Sequence, residues 1–593
     1  MADIEDLFSN SVEIKNNAIC KLIVKDLITT DPKYYGDHEM LQKTLTRLSR
    51  KYKLIPSKRQ LSISYRELNR NDPKNYPMIE KLRTILITRA VRSDSGILNI
   101  SVSMPPDKFS CRYNCHFCPN EPGMPRSYLS NEDVFSRASQ VDFDAVRQAH
   151  IRLEALETNG HPIDKLEFRI LGGTFSCYSH DIADTFIRDL YYAANTYFES
   201  ERPRLSLVEE QHINEHSKVH VVGLGVETRP DEINEKEIIR FRNYGITRVE
   251  IGVQHTDDNL LRRVNRGHGI KQSKRAIKLL KDYGFKVEIH IMTDLPGATP
   301  EGDMDCYRQV LRDDPDLIPD YMKDYPCLDV SFTEIKKWRE DGRWKPYADN
   351  TDDASDLKRV LIYRQQITPQ WVRVNRIQRD FRLTNGEVDL GYSSNTIKPN
   401  LAEIVKREAE NMGIYCQCIR CREVRTEEFN PAEIKYNTNS FIASSGLEYF
   451  ISAEIPRDNR NLLLGFIRLR FSSSLKFSII PELAGETAMI RELHVYGRVK
   501  EVGSRGKTNG AQHLGIGKEL LVRAERIATE NQYTKMAIIS GIGVRDYYRK
   551  YGYEKTGSYM IKRLDYNKRL IPIELFITSL IILLLSLFYV SLV

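Results

Sequence analysis

Residues 97–103 read ILNISVS and residues 111–118 read CRYNCHFC: a β-branched run, a short connection, then three cysteines spaced three and two residues apart. The first run predicts a strand, which puts the cysteines on the loop at its C-terminal end. Working outward, similar runs predict strands at 166–171 (LEFRIL), 220–226 (HVVGLGV), 248–253 (RVEIGV), 286–292 (KVEIHIM) and 326–330 (PCLDV). Amphipathic stretches separate them. In one, Phe143, Val146, His150, Leu153 and Leu156 follow Asp142 as an apolar stripe that Gly160 can end. Such β-α alternation predicts a parallel sheet with crossover helices, either open or closed into a full or partial barrel. Ligands of such folds bind beyond the C-terminal strand ends, where the cysteines stand.

Cys111, Cys115 and Cys118 can bind three irons of a 4Fe-4S cube and leave the fourth without a protein ligand. An open iron can chelate the amino and carboxylate groups of S-adenosylmethionine, and an electron from the cluster then yields a 5'-deoxyadenosyl radical. The segment resembles the radical S-adenosylmethionine superfamily; a structural zinc site with a remote fourth ligand is the alternative. Gly172, Gly173 and Thr174 follow the second strand, where a glycine turn can expose backbone groups to the methionine amine. Glu227 and Arg229 follow the third, where polar groups can hold ribose and carboxylate. All three elements fall at strand C-termini in the expected order.

From 431 to 565 the pattern changes to adjacent strands (462–470, 487–496), a glycine turn, a helix and a strand (534–540), which predicts an α+β domain. Gln512-His-Leu-Gly515-Ile516-Gly517-Lys518 resembles the Q-x-x-G-x-G loop of GCN5-type acetyltransferases, whose backbone N–H groups meet a pyrophosphate at a helix start. Leu520, Leu521, Ala524 and Ile527 support that helix. The segment Glu492-Leu493-His494-Val495 is the candidate splayed strand offering backbone groups to a thioester. Between the two regions, Cys416, Cys418 and Cys421 suit a structural zinc ion with one ligand from elsewhere.

DKLEFRILGGTFS (164–176), GVETRPD (225–231), RVEIGVQH (248–255), NRGH (265–268), KVEIHIMTDLPG (286–297), GRWKPY (342–347), RVNRIQRD (373–380) and RELHVYG (491–497) together resemble the catalytic subunit of Elongator and its single-chain relatives. The resemblance spans about 80–580. It implies a partial TIM-like radical S-adenosylmethionine barrel joined to a GCN5-type acetyltransferase domain. It also implies conversion of the wobble uridine of tRNA toward 5-carboxymethyluridine, with acetyl-CoA as the carbon source. Lys165 matches a position that contacts acetyl-CoA. Tyr547 and Tyr548 match paired tyrosines near the coenzyme sulfur, where a phenol can protonate the leaving thiolate. The implied partners are tRNA and, with it, other Elongator subunits or a second copy of the chain.

The chain of 593 residues has a formal charge of only +7, but two blocks concentrate it. Lys43–Arg70 holds nine Lys or Arg against Glu67, and Lys358–Arg382 holds seven against Asp380, a pattern that suits a polyanion. Ten cysteines, six of them in two tight groups, read as metal binding in a reducing compartment and not as a disulfide framework, and the acidic start without a hydrophobic run carries the expectation that the protein is not secreted. Leu575–Val593 carries no charge, follows Lys562, Arg563, Lys568 and Arg569, and as a helix would reach roughly 28 Å, near the ~30 Å hydrocarbon core. The expectation is a C-terminal transmembrane helix that anchors the protein to a membrane with its body in the cytosol.

The resulting domain plan is a basic helical tRNA-binding region at 1–95, the radical domain at 96–382, a cysteine-containing linker at 383–430, the acetyl-CoA domain at 431–565 and the tail anchor at 571–593. A protein lysine acetyltransferase with a structural metal cluster is the alternative function. A non-catalytic membrane tether for tRNA requires neither CxxxCxxC nor QxxGxG.

Overall fold

The structure is a computed structural model that describes residues 16–29, 38–77, 95–106, 111–379, 397–497 and 514–564, less positions 112, 426 and 428. It also describes 79, 82, 86, 87 and two short strands at 383–384 and 387–388.

Seven strands form the first sheet: β1 (Leu98–Ser103), β2 (Lys165–Leu171), β3 (His220–Thr228), β4 (Arg248–Gln254), β5 (Lys286–Ile291), β6 (Tyr321–Asp324) and β7 (Arg373–Arg376). Every neighbouring pair is parallel and the spatial order is the chain order. Right-handed crossovers in unbroken order pass on one side of the sheet, so helices cover one face and the sheet curls around the other. Because β1 and β7 do not pair, the barrel is incomplete.

The strands alternate accordingly. Ile100, Phe168, Val226, Val249, Ile251, Val287 and Ile289 join the core beneath the helices. Their neighbours Glu167, Arg169, Glu227, Arg248, Glu250, Glu288, His290 and Lys323 line the lumen. Parallel strands covered on both faces are usually apolar throughout, so this period-two polarity marks a functional interior.

Two sequence expectations shift. The strand expected at 326–330 lies at Tyr321–Asp324, because Pro326 has no N–H for the ladder, and β7 was not expected at all. The helix expected from Asp142 runs over Ala145–Thr158, since Asp142 and Phe143 both have positive φ and Asp144 caps it instead, accepting from Arg147 N–H at 2.7 Å.

The second sheet comprises β8 (Lys435–Ala443), β9 (Gly446–Ile455), β10 (Leu462–Phe471), β11 (Thr487–Val495), β12 (Lys535–Ile538), β13 (Glu554–Thr556) and β14 (Tyr559–Arg563), in the order 8-9-10-11-12-14-13. Only β11 and β12 pair in parallel. The two sheets share a continuous core, because Met489, Ala537, Ile539 and Tyr559 pack in the same cluster as the barrel strands. A buried charge knot reinforces the contact. Arg491 reaches Glu448 at 2.8 Å and Asp320, Lys281 lies 3.4 Å from both carboxylates, and Arg470 joins Glu448 to Asp282. At the N-terminal side, helices α1 (His38–Tyr52) and α2 (Lys58–Asn71) pack through Leu41, Leu45, Leu48, Leu61, Tyr65 and Leu68.

The expected transmembrane helix and membrane-held localisation are corrected. Among the described residues no helix is long and apolar enough to cross a membrane. The helix His180–Thr196, among the longest described, would extend about 25 Å and carries Asp181, Asp184, Arg188 and Asp189. Leu575–Val593, on which the expectation rested, lies outside the described residues.

Candidate active site

The cysteine loop leaves β1 and crosses the C-terminal rim of the barrel. Cys115 is buried, while Cys111 and Cys118 are half-buried. Two guanidiniums face Cys115, with Arg229 Nη1 and Arg266 Nη1 each 3.5 Å from its sulfur. Arg229 is held by Asp231 at 2.9 Å, donates to the Arg266 carbonyl at 2.7 Å and stacks over Tyr113 at 3.5 Å. A hydrogen bond from the Cys177 thiol outweighs burial and draws the Cys111 thiol down to about 5. Burial, aided by the charge of Cys115, pushes the Cys118 thiol up. Three sulfurs on one loop, with fixed positive charge beside them, fit the ligand set of a 4Fe-4S cube.

Gly172 and Gly173 have φ of +140° and +86°, and a Cβ on Gly172 would sit 3.2 Å from both Met104 and the Tyr178 hydroxyl. The turn brings buried Thr174 to 3.7 Å from Cys111 sulfur. Glu227 ends β3 in the lumen, accepts from the Tyr128 hydroxyl, and is pushed up by burial and by the charge of Glu250. Arg266, Tyr128, Tyr113 and Cys177 were not singled out from the sequence. Arg266 belongs to the NRGH segment, but its reach to Cys115 is a contact between loops.

From Glu227 a chain of paired charges runs down the lumen. Glu227, Glu250 and His290 bring ligand atoms within 4.8 Å of one another. Glu250 accepts from Lys323 and from Arg169 Nε at 2.9 Å. Arg169 reaches Glu288 at 2.6 Å, Glu288 lies 3.3 Å from Arg248, and Arg248 pairs with Glu167 and stacks over Tyr321 at 4.1 Å. Tyr321 donates its hydroxyl proton to Glu492 of β11. Polar contacts thus connect the rim that carries the cysteines to the second sheet.

At that end β11 and β12 pair only over Thr487–Ile490, so Glu492, Leu493, His494 and Val495 diverge from β12. A bulge at Arg491 on the β10 side turns them. The helix Ile516–Glu530 starts at Gly515, φ +73°, with Gly517 and exposed Lys518 in its first turn. A Cβ on Gly517 would meet the Tyr547 hydroxyl at 2.6 Å and Val495 at 3.5 Å, so the glycine turn, the splayed strand and the tyrosine helix Arg545–Arg549 share one corner. Burial holds the Tyr547 and Tyr548 hydroxyls above the ordinary phenol range; both keep their protons at neutral pH and can donate. Arg545 and Arg549 clamp this helix to Glu215 of the barrel at 2.8 and 2.5 Å. Lys165 pairs in register with His220, and a Cβ on Gly543, two residues before Arg545, would sit 2.6 Å from His220 Cβ, so the start of β2 lies near the tyrosine helix. Gln512 lies outside the described residues.

Cys416, Cys418 and Cys421 also lie with their sulfurs within 4.8 Å of one another, near the ~3.8 Å edge of a tetrahedron with 2.3 Å zinc–sulfur bonds. Their loop spans the joint: Ile419 N–H donates to Val372 at 3.0 Å and Val424 N–H to Leu463 at 3.1 Å. Of the two basic blocks, the second is largely consumed internally. Lys358 pairs with Glu408, Arg359 with Glu301, Arg364 with Asp324, Arg373 with Glu423 and Arg379 with Glu132. In the first, Lys43, Arg47 and Arg50 line a groove on α1 and are exposed.

A half-open parallel barrel with three cysteines at its C-terminal rim defines a radical S-adenosylmethionine enzyme, and the Radical SAM superfamily matches residues 109–308. That class implies a 4Fe-4S cluster and S-adenosylmethionine. A tRNA uridine(34) acetyltransferase of Methanocaldococcus infernus is 38% identical over 81% of this chain and 88% of its own length. The Homo sapiens Elongator complex protein 3 is 34% identical over 91% and 96%. The solved structure of Methanocaldococcus infernus Elp3 with an N-terminal deletion superposes with a TM-score of 0.65 at 35% identity, covering 79% of this chain and 100% of that one. The chain belongs to the family of tRNA uridine(34) acetyltransferases and Elongator complex protein 3.

Proposed function

We propose that the chain carboxymethylates the wobble uridine of tRNA at C5, taking the carbon unit from acetyl-CoA. The observation that carries this reading is the lumen. Its cysteine loop and its splayed-strand corner sit at opposite ends of one continuous polar interior, inside a single packed unit.

A 4Fe-4S cluster, when bound, supplies the electron that cleaves S-adenosylmethionine to a carbon-centred radical. Cys111, Cys115 and Cys118 would hold the cluster, with Arg229 and Arg266 offsetting thiolate charge at Cys115. Gly172, Gly173 and Thr174 present backbone groups toward the methionine end of the cofactor, and Glu227 accepts from its ribose. At the other end, Gln512, Gly515, Ile516, Gly517 and Lys518 bind the coenzyme pyrophosphate at the helix start, where N–H groups and dipole favour an anion. Glu492, Leu493, His494 and Val495 orient the thioester through backbone groups on the side that diverges from β12, Lys165 meets the coenzyme from the barrel side, and Tyr547 or Tyr548 donates a proton to the departing thiolate. Zinc at Cys416, Cys418 and Cys421 would fix the joint between the sheets. The exposed cations of α1 contact the tRNA backbone, and other Elongator subunits are the expected protein partners.

Protein lysine acetylation is disfavoured because the tyrosine helix is clamped against the barrel. Anaerobic protein given S-adenosylmethionine, acetyl-CoA and tRNA should yield deoxyadenosine and 5-carboxymethyluridine by mass spectrometry. Acetyl-lysine on a protein substrate with unmodified uridine would reject the proposal.

A further inference from the structure

Among the described residues thirteen non-glycine residues lie in the left-handed region, and five of them stand at the C-terminal rim of the barrel: Ser127, Gln254, Asn265, Asp294 and Phe332. Polar side chains such as asparagine and aspartate tolerate that conformation through local hydrogen bonds, whereas a phenylalanine at φ +61° is a true outlier. Phe332 is also 55% exposed.

Packing does not account for it. The residue immediately precedes Thr333, the cap of helix Glu334–Glu340. From there an apolar side chain can staple against the fourth helical residue, which here is Lys337. The adjacent cluster of Val264, Leu295, Cys327, Ile335 and Trp344 does not include the Phe332 ring. The backbone, by contrast, is tied firmly. Asn120 N–H, two residues beyond Cys118, donates to the Phe332 carbonyl at 3.1 Å, and the Glu334 and Ile335 N–H groups donate to His116 at 3.0 and 3.2 Å. The cysteine loop therefore holds a strained phenylalanine outward at the mouth of the lumen. Arg263, at the end of the helix Asp258–Arg263, and Lys345, on the loop after Trp344, are exposed and form no ion pair among the described residues.

We infer that Phe332 is a stacking platform for an unpaired nucleobase of the RNA substrate, next to the base that enters the lumen. The inference rests on the tRNA reading above. An exposed ring offers a π-face that any base can cover, nearby cations without carboxylate partners suit phosphates, and backbone strain persists where a binding site holds it. The occupant is an anticodon-loop base and not a paired stem, whose bases are already stacked.

The test is the affinity of the full chain for an anticodon stem-loop RNA, followed by fluorescence anisotropy. Phe332→Ala and Phe332→Gly should each weaken binding by about tenfold, and Phe332→Trp should retain it. Phe332→Gly should melt at a higher temperature than Phe332→Ala because glycine relieves the left-handed strain, yet bind RNA as weakly, which separates strain from stacking. Ala and Gly variants that bind within about twofold of wild type would overturn this inference alone. A wild-type chain that does not bind the stem-loop would overturn both this inference and the tRNA reading.

Discussion

Lys323→Met removes one positive charge from the lumen and leaves a side chain of similar length. The Lys323 ammonium donates to Glu250 and lies 3.7 Å from Glu288, with the side chain 8% exposed. Burial tends to raise the Glu250 carboxyl, but Arg169 and Lys323 outweigh it and hold the group well below the ordinary carboxylate range. Removing one partner of a buried pair costs roughly 3–5 kcal/mol when the other charge is orphaned. In the variant Glu250 retains Arg169 and, at 3.1 Å, His290, so the lower end applies, about 3 kcal/mol.

The sign of the pH dependence follows. A carboxylate with a depressed folded pKa contributes stability above its unfolded pKa and loses it as pH falls through the folded value. Lys323→Met raises the folded value, so the gap between wild type and variant is widest at neutral pH. It narrows once pH drops below the carboxyl pKa of the variant. Urea unfolding followed by circular dichroism at a series of pH values measures this. The double variant with Glu250→Gln should lose less than the sum of the single changes. A neutral-pH cost below about 1 kcal/mol, or a gap that widens on acidification, would refute the reading of the lumen charges as a set of coupled buried pairs.

Three other changes probe the ends of the lumen and the joint. Cys115→Ser should lower bound iron and abolish deoxyadenosine formation while stem-loop binding persists; retained cleavage of S-adenosylmethionine would contradict the ligand assignment. Gly517→Ala drives a methyl into the Tyr547 hydroxyl and should weaken acetyl-CoA binding by about 1–3 kcal/mol in calorimetry. In a Tyr547→Phe background the same change should cost less, and equal cost in both backgrounds would show that the contact does not shape the coenzyme site. Cys418→Ser should remove zinc measured by plasma mass spectrometry and lower the melting temperature; wild-type protein without zinc after metal-replete expression would count against that site.

The readable parts of the molecule are those whose chemistry is local in the chain. The strand before Cys111 and its spacing to Cys115 and Cys118 announce the cluster loop, and the turn at Gly515 and Gly517 announces the helix start. What stayed hidden depends on return paths. Arg266 meets Cys115 only because the chain turns back across the rim after β4. Glu215 clamps the tyrosine helix across more than three hundred residues of chain. The first basic block is an exposed face, but the second is mostly bound to its own carboxylates, a difference that charge counting cannot detect.

One hidden feature did have a local signal. KLEFRI, RVEIGV and KVEIHI place ionisable residues at alternate positions (165, 167 and 169; 248 and 250; 286, 288 and 290) of strands that βα alternation already requires to be parallel. A parallel strand covered by helices on both sides would bury those charges against apolar packing, at a cost that no surface exposure relieves. The alternation is compatible with the fold only if one face is free of helices and its charges are paired with those of neighbouring strands. Glu250 illustrates the requirement: it receives Arg169 from β2, His290 from β5 and Lys323 from β6, so its ionised state depends on curvature that brings non-adjacent strands together. A polar period of two in a predicted parallel sheet therefore points to a lumen, and the residues that create the period are those that line it.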